Sequence, residues 1–468
     1  MNNNPSLTYL TQDKESMVSL EILNKIQVSI EMNENPLQLS LSSLFQMGAR
    51  INKKRSFLFI SKVLGKHLPV SPKVSLIAGA ALASRYMEEV HGAVHPARQE
   101  MHGAIEAGEA GEQLLQTVLE ETYALPEETV FIGFAETATA LGHAVFRCFE
   151  NAKFLHTTRE EIEGLRSAIN FEEEHSHATS HRCYAGTEFF DHHHPIVLVD
   201  DESTTGKTAL NIIESIQEVY PRKEYAILTL LDWRTEKHRE AFKKMEEKHG
   251  ITITAISLLS GSMEAEGNSI EEEFVFTSDA SEGKPGDAEV TVTGLDAAAA
   301  YQTEWVSRGE GPEAPSYLSV TGRFGMSDRF EKEAGQFVNR AAEELRMRRK
   351  GVRTLCLGTG EFMYIPMRIA AEMGEGIRYQ SSTRSPIHCT KKEGYPIFSK
   401  FAYPNPEQPA VQHFFYNIEQ GMYDEVFVFL EREVPMEQLE PMLKQLKTVV
   451  PIIQVVYFCR RKGDQHVR

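Results

Sequence analysis

Two adjacent acids, Asp200 and Asp201, close the apolar run Ile196 to Val199, and Glu202, Ser203, Thr204, Thr205, Gly206, Lys207 and Thr208 follow them. Adjacent carboxylates suit a pair of vicinal hydroxyls, each carboxylate accepting one hydrogen bond. A loop of hydroxyl residues and glycine running into a helix aims backbone N–H groups and the helix dipole at one point, which is how phosphate is bound. Thr204, Thr205 and Thr208 add hydroxyl donors, and Gly206 permits positive φ or close backbone approach. The chemistry expected is the grip of a ribose carrying a 5′-phosphate. A nucleotide-kinase loop, GxxxxGK[ST], is the competing reading. Asp201 stands where its first glycine should be, and an acid fits poorly where the backbone must approach phosphate.

The elements that must position these residues alternate strand and helix. Buried strands are expected at 129–134, 152–159, 196–201 and 224–233, with helices after the first and third, a charged helix ending at Gly250, and a last strand from Ile251. That pattern predicts an α/β fold with a parallel sheet covered on both faces. Upstream, residues 1–35 are an N-terminal segment in which helix and strand read equally well. Residues 36–261 form the first domain, and Ser56 to Val70 carries an apolar run flanked by Lys53-Lys54-Arg55 and Lys66-His67. Residues 262–320, acidic and rich in Gly and Ser, read as a linker or arm with a hairpin at 272–277 and 288–293. Residues 321–468 form a second α/β domain, with a long helix from Phe330 to Lys350 and strands at 352–358, 425–431 and 448–458.

At 468 residues the chain is too long for one ordinary core. Its formal charge of −18 disfavours nucleic acid and anionic membranes, although a local basic groove remains compatible. Neither a signal peptide nor a membrane span is expected. Five scattered cysteines without a CxxC point to a reducing cytoplasm. A homo-oligomer is compatible with all of this. His175, His177 and His181 invite a zinc reading, but no HExxH or cysteine partner accompanies them, and the stretch equally suits a mobile lid.

The second domain repeats the first. At an offset of 225 residues, Gly133 falls on Gly358, Glu136 on Glu361, Thr158 on Thr383 and Arg159 on Arg384. With small gaps, IVLVDDE falls near FVFLERE. This predicts two copies of one α/β unit, the second lacking the TTGxT loop and therefore unable to bind the sugar phosphate alone. Different strand orders in the two copies would refute the repeat.

Residues 196–208 resemble the phosphoribosyl pyrophosphate (PRPP) signature of the type I phosphoribosyltransferases: apolar strand, two acids, short spacer, TTGxT. The whole chain resembles the members associated with bacterial tellurite-resistance clusters, in which a domain named for Thr383-Arg384-Ser385-Pro386 follows the transferase domain. The resemblance implies a PRPP-dependent glycosyltransferase (pentosyltransferase) that joins 5-phosphoribose to a nitrogen heterocycle and releases pyrophosphate, in a stress-linked pathway to a nucleoside-like metabolite. It implies Mg²⁺ at Asp200 and Asp201, with Ser203 to Thr208 on the 5′-phosphate. Ala135, Glu136, Thr137, Ala138 and Thr139 would form a pyrophosphate loop, with Arg159 and Arg182 as candidates to neutralise the leaving group. Asp201 or Glu202 would act as general base, residues 172–190 as lid and Trp233 as base-stacking ring, a buried core Trp being the equal alternative. Glu361, Thr383, Arg384 and Ser385 would mark a second-domain site. Sensor proteins keep the same signature, so a non-catalytic PRPP-sensing protein is the alternative.

Overall fold

The computed structural model describes residues 17–51, 56–172, 180–267, 287–310 and 313–461. Its first sheet is built on five parallel strands, which lie side by side as Thr252–Gly267, Glu224–Asp232, Ile196–Ser203, Tyr123–Gly133 and Phe149–His156. Chain order runs outward from Tyr123–Gly133 in one direction and from Ile196–Ser203 in the other. The sheet therefore has a switch point between these two strands, where loops diverge and a crevice opens. Ile196, Val197, Leu198 and Val199 are all fully buried, as a strand covered on both faces requires. Helices Pro72–His91 and Ala138–Phe146 pack against each other on one face of the sheet.

The N-terminal segment is a hairpin, Met17–Ile22 with Ile26–Glu34. Its second strand pairs antiparallel with the outer end of Thr252–Gly267, so it extends the first sheet. Residues 57–61 form a second hairpin with Phe45–Ala49. A further helix, Arg98–Ala107, follows Pro72–His91.

The second domain has its own all-parallel sheet, ordered Glu289–Gly294, Ile452–Cys459, Glu425–Arg432, Thr354–Gly358, Ile377–Ser381. The four strands from Thr354 onward repeat the spatial order of the first four of the other sheet, as duplication requires. Described parts of the stretch expected to be an acidic linker or arm pack on the second domain. Glu289–Gly294 is an edge strand on Ile452–Cys459, and Tyr317, Leu318 and Val320 are buried. The other half of the expected hairpin, 272–277, lies outside the described residues. Among the described residues no helix is long and apolar enough to cross a membrane.

The copies also agree bond for bond. The Ala135 amide donates to Thr157 Oγ1 at 2.9 Å, and the Gly360 amide donates to Ser382 Oγ at 3.2 Å. His181 Nδ1 lies 2.9 Å from Thr157 Oγ1, and His413 Nδ1 lies 3.0 Å from Ser382 Oγ. The Tyr184 hydroxyl donates to the Glu160 carbonyl and accepts from Ile162; the Tyr416 hydroxyl does the same with Ser385 and Ile387. His181 lies in, and Tyr184 directly follows, the strand pair Ile169–Glu172 with Ser180–Cys183, matched by Lys400–Asn405 with Gln408–Tyr416.

Candidate active site

The loops that leave the switch point enclose a cavity of about 360 Å³. Asp200, Asp201 and Glu202 line it, followed by Ser203 through Thr208. The acids sit where the strand runs out of the core, half-buried above four fully buried residues. Asp200 Oδ1 accepts from the Asp201 amide at 2.9 Å.

Gly206 begins the helix Lys207–Val219 in the left-handed region, at φ 73°. A Cβ there would lie 2.5 Å from the Phe242 ring and 3.0 Å from Arg234 Cδ. Arg234 is fixed beneath the loop by a double hydrogen bond to Asp232 (2.9 and 2.8 Å) and lies over the Phe242 ring at 4.3 Å. Gly206 supplies no side-chain cap, the Lys207 amide donates to the Thr205 hydroxyl at 3.2 Å, and Lys207, Thr208 and Ala209 line the cavity, so the start of the helix lies at its wall. Gly206→Ala meets both the left-handed backbone and the ring. It is expected to cost about 1–3 kcal/mol of stability, measured by denaturant unfolding; an unchanged midpoint would show that the loop is not held in this way.

On the other side of the switch point, Ala135, Glu136 and Thr137 line the cavity ahead of a second helix, Ala138–Phe146, also without a side-chain cap. The Ala135–Glu136 peptide is cis. Glu136 is buried, which alone would push its carboxyl up; Lys66, His413, Arg384 and Arg159 override burial and hold it below the usual range. Arg159 lines the cavity with Nη1 3.9 Å from Glu136, and Lys66 donates to the Thr137 hydroxyl. The one acid of the expected pyrophosphate loop thus lies in the field of Lys66, Arg384 and Arg159.

Several of the expected site residues lie away from the cavity, and Trp233 follows its alternative reading as a core residue. Ala138 and Thr139 do not line the cavity: Ala138 is fully buried, and the Thr139 hydroxyl lies within bonding distance of the Glu136 and Glu361 carbonyls, 3.0 and 3.2 Å away. Arg182 lies outside it, bonded to Glu161 at 2.6 Å and to the Arg159 carbonyl at 3.2 Å, so it holds the backbone of Arg159. Trp233 is 1% exposed and does not reach the cavity; its ring stacks on Phe59 at 5.5 Å and meets Phe45 edge-on. Phe59 lines the cavity in its place. In the expected lid, residues 173–179 lie outside the described residues and so do His175 and His177 of the zinc reading; the flanking strands form the strand pair named above.

Sequence reasoning missed one group of lining residues. Arg50, Leu58, Phe59, Lys66 and His67 come from the 45–70 region, where flanking basic residues were the available signal. Among the described residues both buried His67 ring nitrogens have no hydrogen-bond partner, and burial, reinforced by Lys66 and Arg50, lowers its pKa well below the ordinary histidine value.

Of the second-domain residues, Arg384 and Ser385 line this same cavity. Thr383 is buried, its backbone paired with Phe414. Glu361 accepts from the Thr158 hydroxyl at 2.6 Å and from the Arg159 amide at 3.0 Å. The second copy's own site is closed by its side chains. Leu357 pairs with Val428 as Ile132 pairs with Leu198, so Glu431 and Arg432 stand where Asp201 and Glu202 stand. Arg323 grips Glu431 at 2.8 and 2.9 Å, Arg432 pairs with Glu160 and Glu407, and both guanidiniums lie 4.5 Å from the Tyr317 ring centre, filling the space that a ligand would take. Only about 20 Å³ remains.

Mg²⁺ suits the donors present. Among the described residues no group of three or more His, Cys, Asp or Glu side chains is arranged to hold a metal, but Mg²⁺ takes one or two carboxylates and completes its shell with water and substrate phosphate. Asp200 and Asp201 supply that much.

Comparison with known proteins agrees with this architecture. Residues 44–262 match the family profile described as phosphoribosyl transferase, and residues 320–446 match the TRSP domain described as C-terminal to it. Comparison with curated protein sequences gives no significant match. Solved structures retrieved by shape include the adenine phosphoribosyl transferase of Trypanosoma brucei, at 14% identity and TM-score 0.21, over 28% of this chain and 56% of that one. The chain thus spans little more than half of the trypanosomal enzyme. The Giardia lamblia enzyme aligns at 20% identity and TM-score 0.21 over 28% of this chain and 69% of its own. Orotate phosphoribosyltransferase of Mycobacterium tuberculosis aligns at 15% identity and TM-score 0.19 over 42% and 88%. The two profiles together cover well over half of the sequence, and the chain belongs to the phosphoribosyl transferase family in which the transferase domain is followed by a TRSP domain.

Proposed function

We propose that the protein transfers 5-phosphoribose from PRPP to a nitrogen heterocycle and releases pyrophosphate. The observation that carries this reading is one cavity lined by two helix starts, residues 135–137 ahead of one and 203–208 at the other, together with the acid pair Asp200 and Asp201. PRPP has the matching order of groups: a phosphate, a vicinal diol, a pyrophosphate. Thr204 to Thr208 take the 5′-phosphate, Asp200 and Asp201 accept from the ribose hydroxyls, and Ala135 to Thr137 with Lys66 and Arg159 hold pyrophosphate. Mg²⁺, when bound, offsets charge on the pyrophosphate. The bond from C1 to pyrophosphate oxygen breaks as the heterocycle nitrogen bonds C1 through an oxocarbenium-like state; pyrophosphate keeps the electron pair, and Asp201 or Glu202 accepts the nitrogen's proton. Phe59 and Phe134 give the acceptor a flat apolar wall.

On the family resemblance the product is a nucleoside-like metabolite of a stress-linked cytoplasmic pathway. The test is pyrophosphate release from PRPP with Mg²⁺ and a panel of heterocycles. Release that depends on one class of heterocycle is expected. PRPP binding with no release for any acceptor would leave a sensor in place of an enzyme.

A further inference from the structure

We propose that Arg384, carried by the second copy, receives the leaving pyrophosphate in the first copy's site, so that the TRSP domain acts as a built-in partner subunit. This rests on the phosphoribosyl-transfer reading above and adds a reacting-end cation from the other domain.

The copies meet as the subunits of a two-fold dimer do. In such an interface the same patch is used twice, and equivalent residues exchange contacts. Helices Ala138–Phe146 and Tyr364–Glu372 occupy equivalent places and pack on each other, with His143 stacked on Tyr364 at 3.6 Å. Both rings bond the same buried carboxylate, Glu331. Glu361 of the second copy holds Thr158 and Arg159 of the first. Its equivalent, Glu136, shares its surroundings with Arg384, the equivalent of Arg159. Two equivalent arginines, one from each copy, therefore flank the Ala135–Thr137 loop.

Arg384 is also poised for an anion. It is half-buried and lines the cavity, its guanidinium donates to the neutral Gln408 at 3.1 Å, and among the described residues it forms no ion pair within 4 Å, Glu136 and Glu160 acting on it from farther away. Arg323 and Arg432, by contrast, are tied to carboxylates. The second domain sets the rest of this wall as well. The Ser381 amide donates to the Gly65 carbonyl at 2.6 Å, and Val70 and Tyr379 exchange backbone bonds at 2.9 Å, which fixes the segment bearing Lys66 and His67. The Ile51 amide donates to the Pro386 carbonyl at 3.0 Å, beside Arg50. A cation preset at the place where pyrophosphate gains charge stabilises its departure.

The experiment measures binding of PRPP, inorganic pyrophosphate and ribose 5-phosphate, each with Mg²⁺, to the full-length chain by calorimetry. Arg384→Ala is expected to weaken PRPP and pyrophosphate by about ten- to a hundredfold while ribose 5-phosphate changes by less than about threefold. Arg384→Lys is expected to recover part of the loss, because charge returns without the planar fork. Where the alanine variant does not fold, Arg384→Gln carries the same expectation. Pyrophosphate affinity within about threefold of wild type in folded Arg384→Ala would overturn the inference and leave the transferase reading standing. Failure of the wild-type protein to bind PRPP would overturn both.

Discussion

Replacing Asp200 and Asp201 together by alanine is expected to weaken PRPP by about 10²- to 10⁴-fold and to leave the fold intact. Each carboxylate accepts one hydrogen bond from the ribose in the proposed pose, and a hydrogen bond to a charged group contributes about 1.5–3 kcal/mol. The pair then supplies about 3–6 kcal/mol, which gives the stated range. Folding does not depend on the acids in the same way. The four residues below them are fully buried, and they anchor the strand between two parallel neighbours. The acids themselves are half-buried at its open end, where their mutual repulsion is relieved by the substitution. Calorimetry with PRPP and Mg²⁺, paired with a thermal melt, separates the two effects. Affinity within a few-fold of wild type in the double variant would remove Asp200 and Asp201 from the site and the PRPP assignment with them.

Residues 196–208 were readable because everything they need is local: an apolar strand, a hydroxyl loop, a glycine at positive φ and a helix start. The repeat was readable for a related reason. Gly133 and Gly358, and Glu136 and Glu361, keep their spacing because both loops leave equivalent strands. What escaped the sequence depends on how distant segments fold together. Trp233 follows a core strand as a base-stacking residue would, but the Phe45–Ala49 and Phe57–Ser61 hairpin folds over it, so Phe59 faces the cavity instead. Arg159 and Arg182 were equivalent candidates until Glu161 engaged Arg182. Glu289–Gly294 was readable as a strand but not its place, because its partner strand lies more than 150 residues later in the chain. Arg384 was visible as the counterpart of Arg159. Its entry into the first copy's cavity follows only from the two-fold manner in which the copies meet.

Arg323→Met is expected to destabilise the second domain by about 3–5 kcal/mol, because removing one partner of a buried ion pair strands the other charge. Arg323 and Glu431 are 1% and 2% exposed and meet through two bonds at 2.8 and 2.9 Å. Burial would lower the Arg323 pKa, but Glu431 and Glu160 more than offset it and keep the guanidinium charged. Without it Glu431 retains the Leu318 amide at 2.9 Å, while Glu160 retains Arg432 and the Tyr317 hydroxyl. In a domain of this size the loss corresponds to a fall of about 6–20 °C in the melting temperature. Arg323→Met with Glu431→Gln should be less harmful than the sum of the two single changes, since the double variant strands no charge at that pair and the neutral amide still accepts from Leu318. PRPP affinity of folded Arg323→Met should stay within about threefold of wild type, because the cluster lies in the second copy's closed site and not in the cavity. A large loss of PRPP affinity with an unchanged melting temperature would mean that the closed site still takes part in ligand binding. The expected pattern, loss of stability without loss of affinity, would mean that the second copy has exchanged a substrate pocket for a structural ion cluster while keeping the arginine it lends to the first.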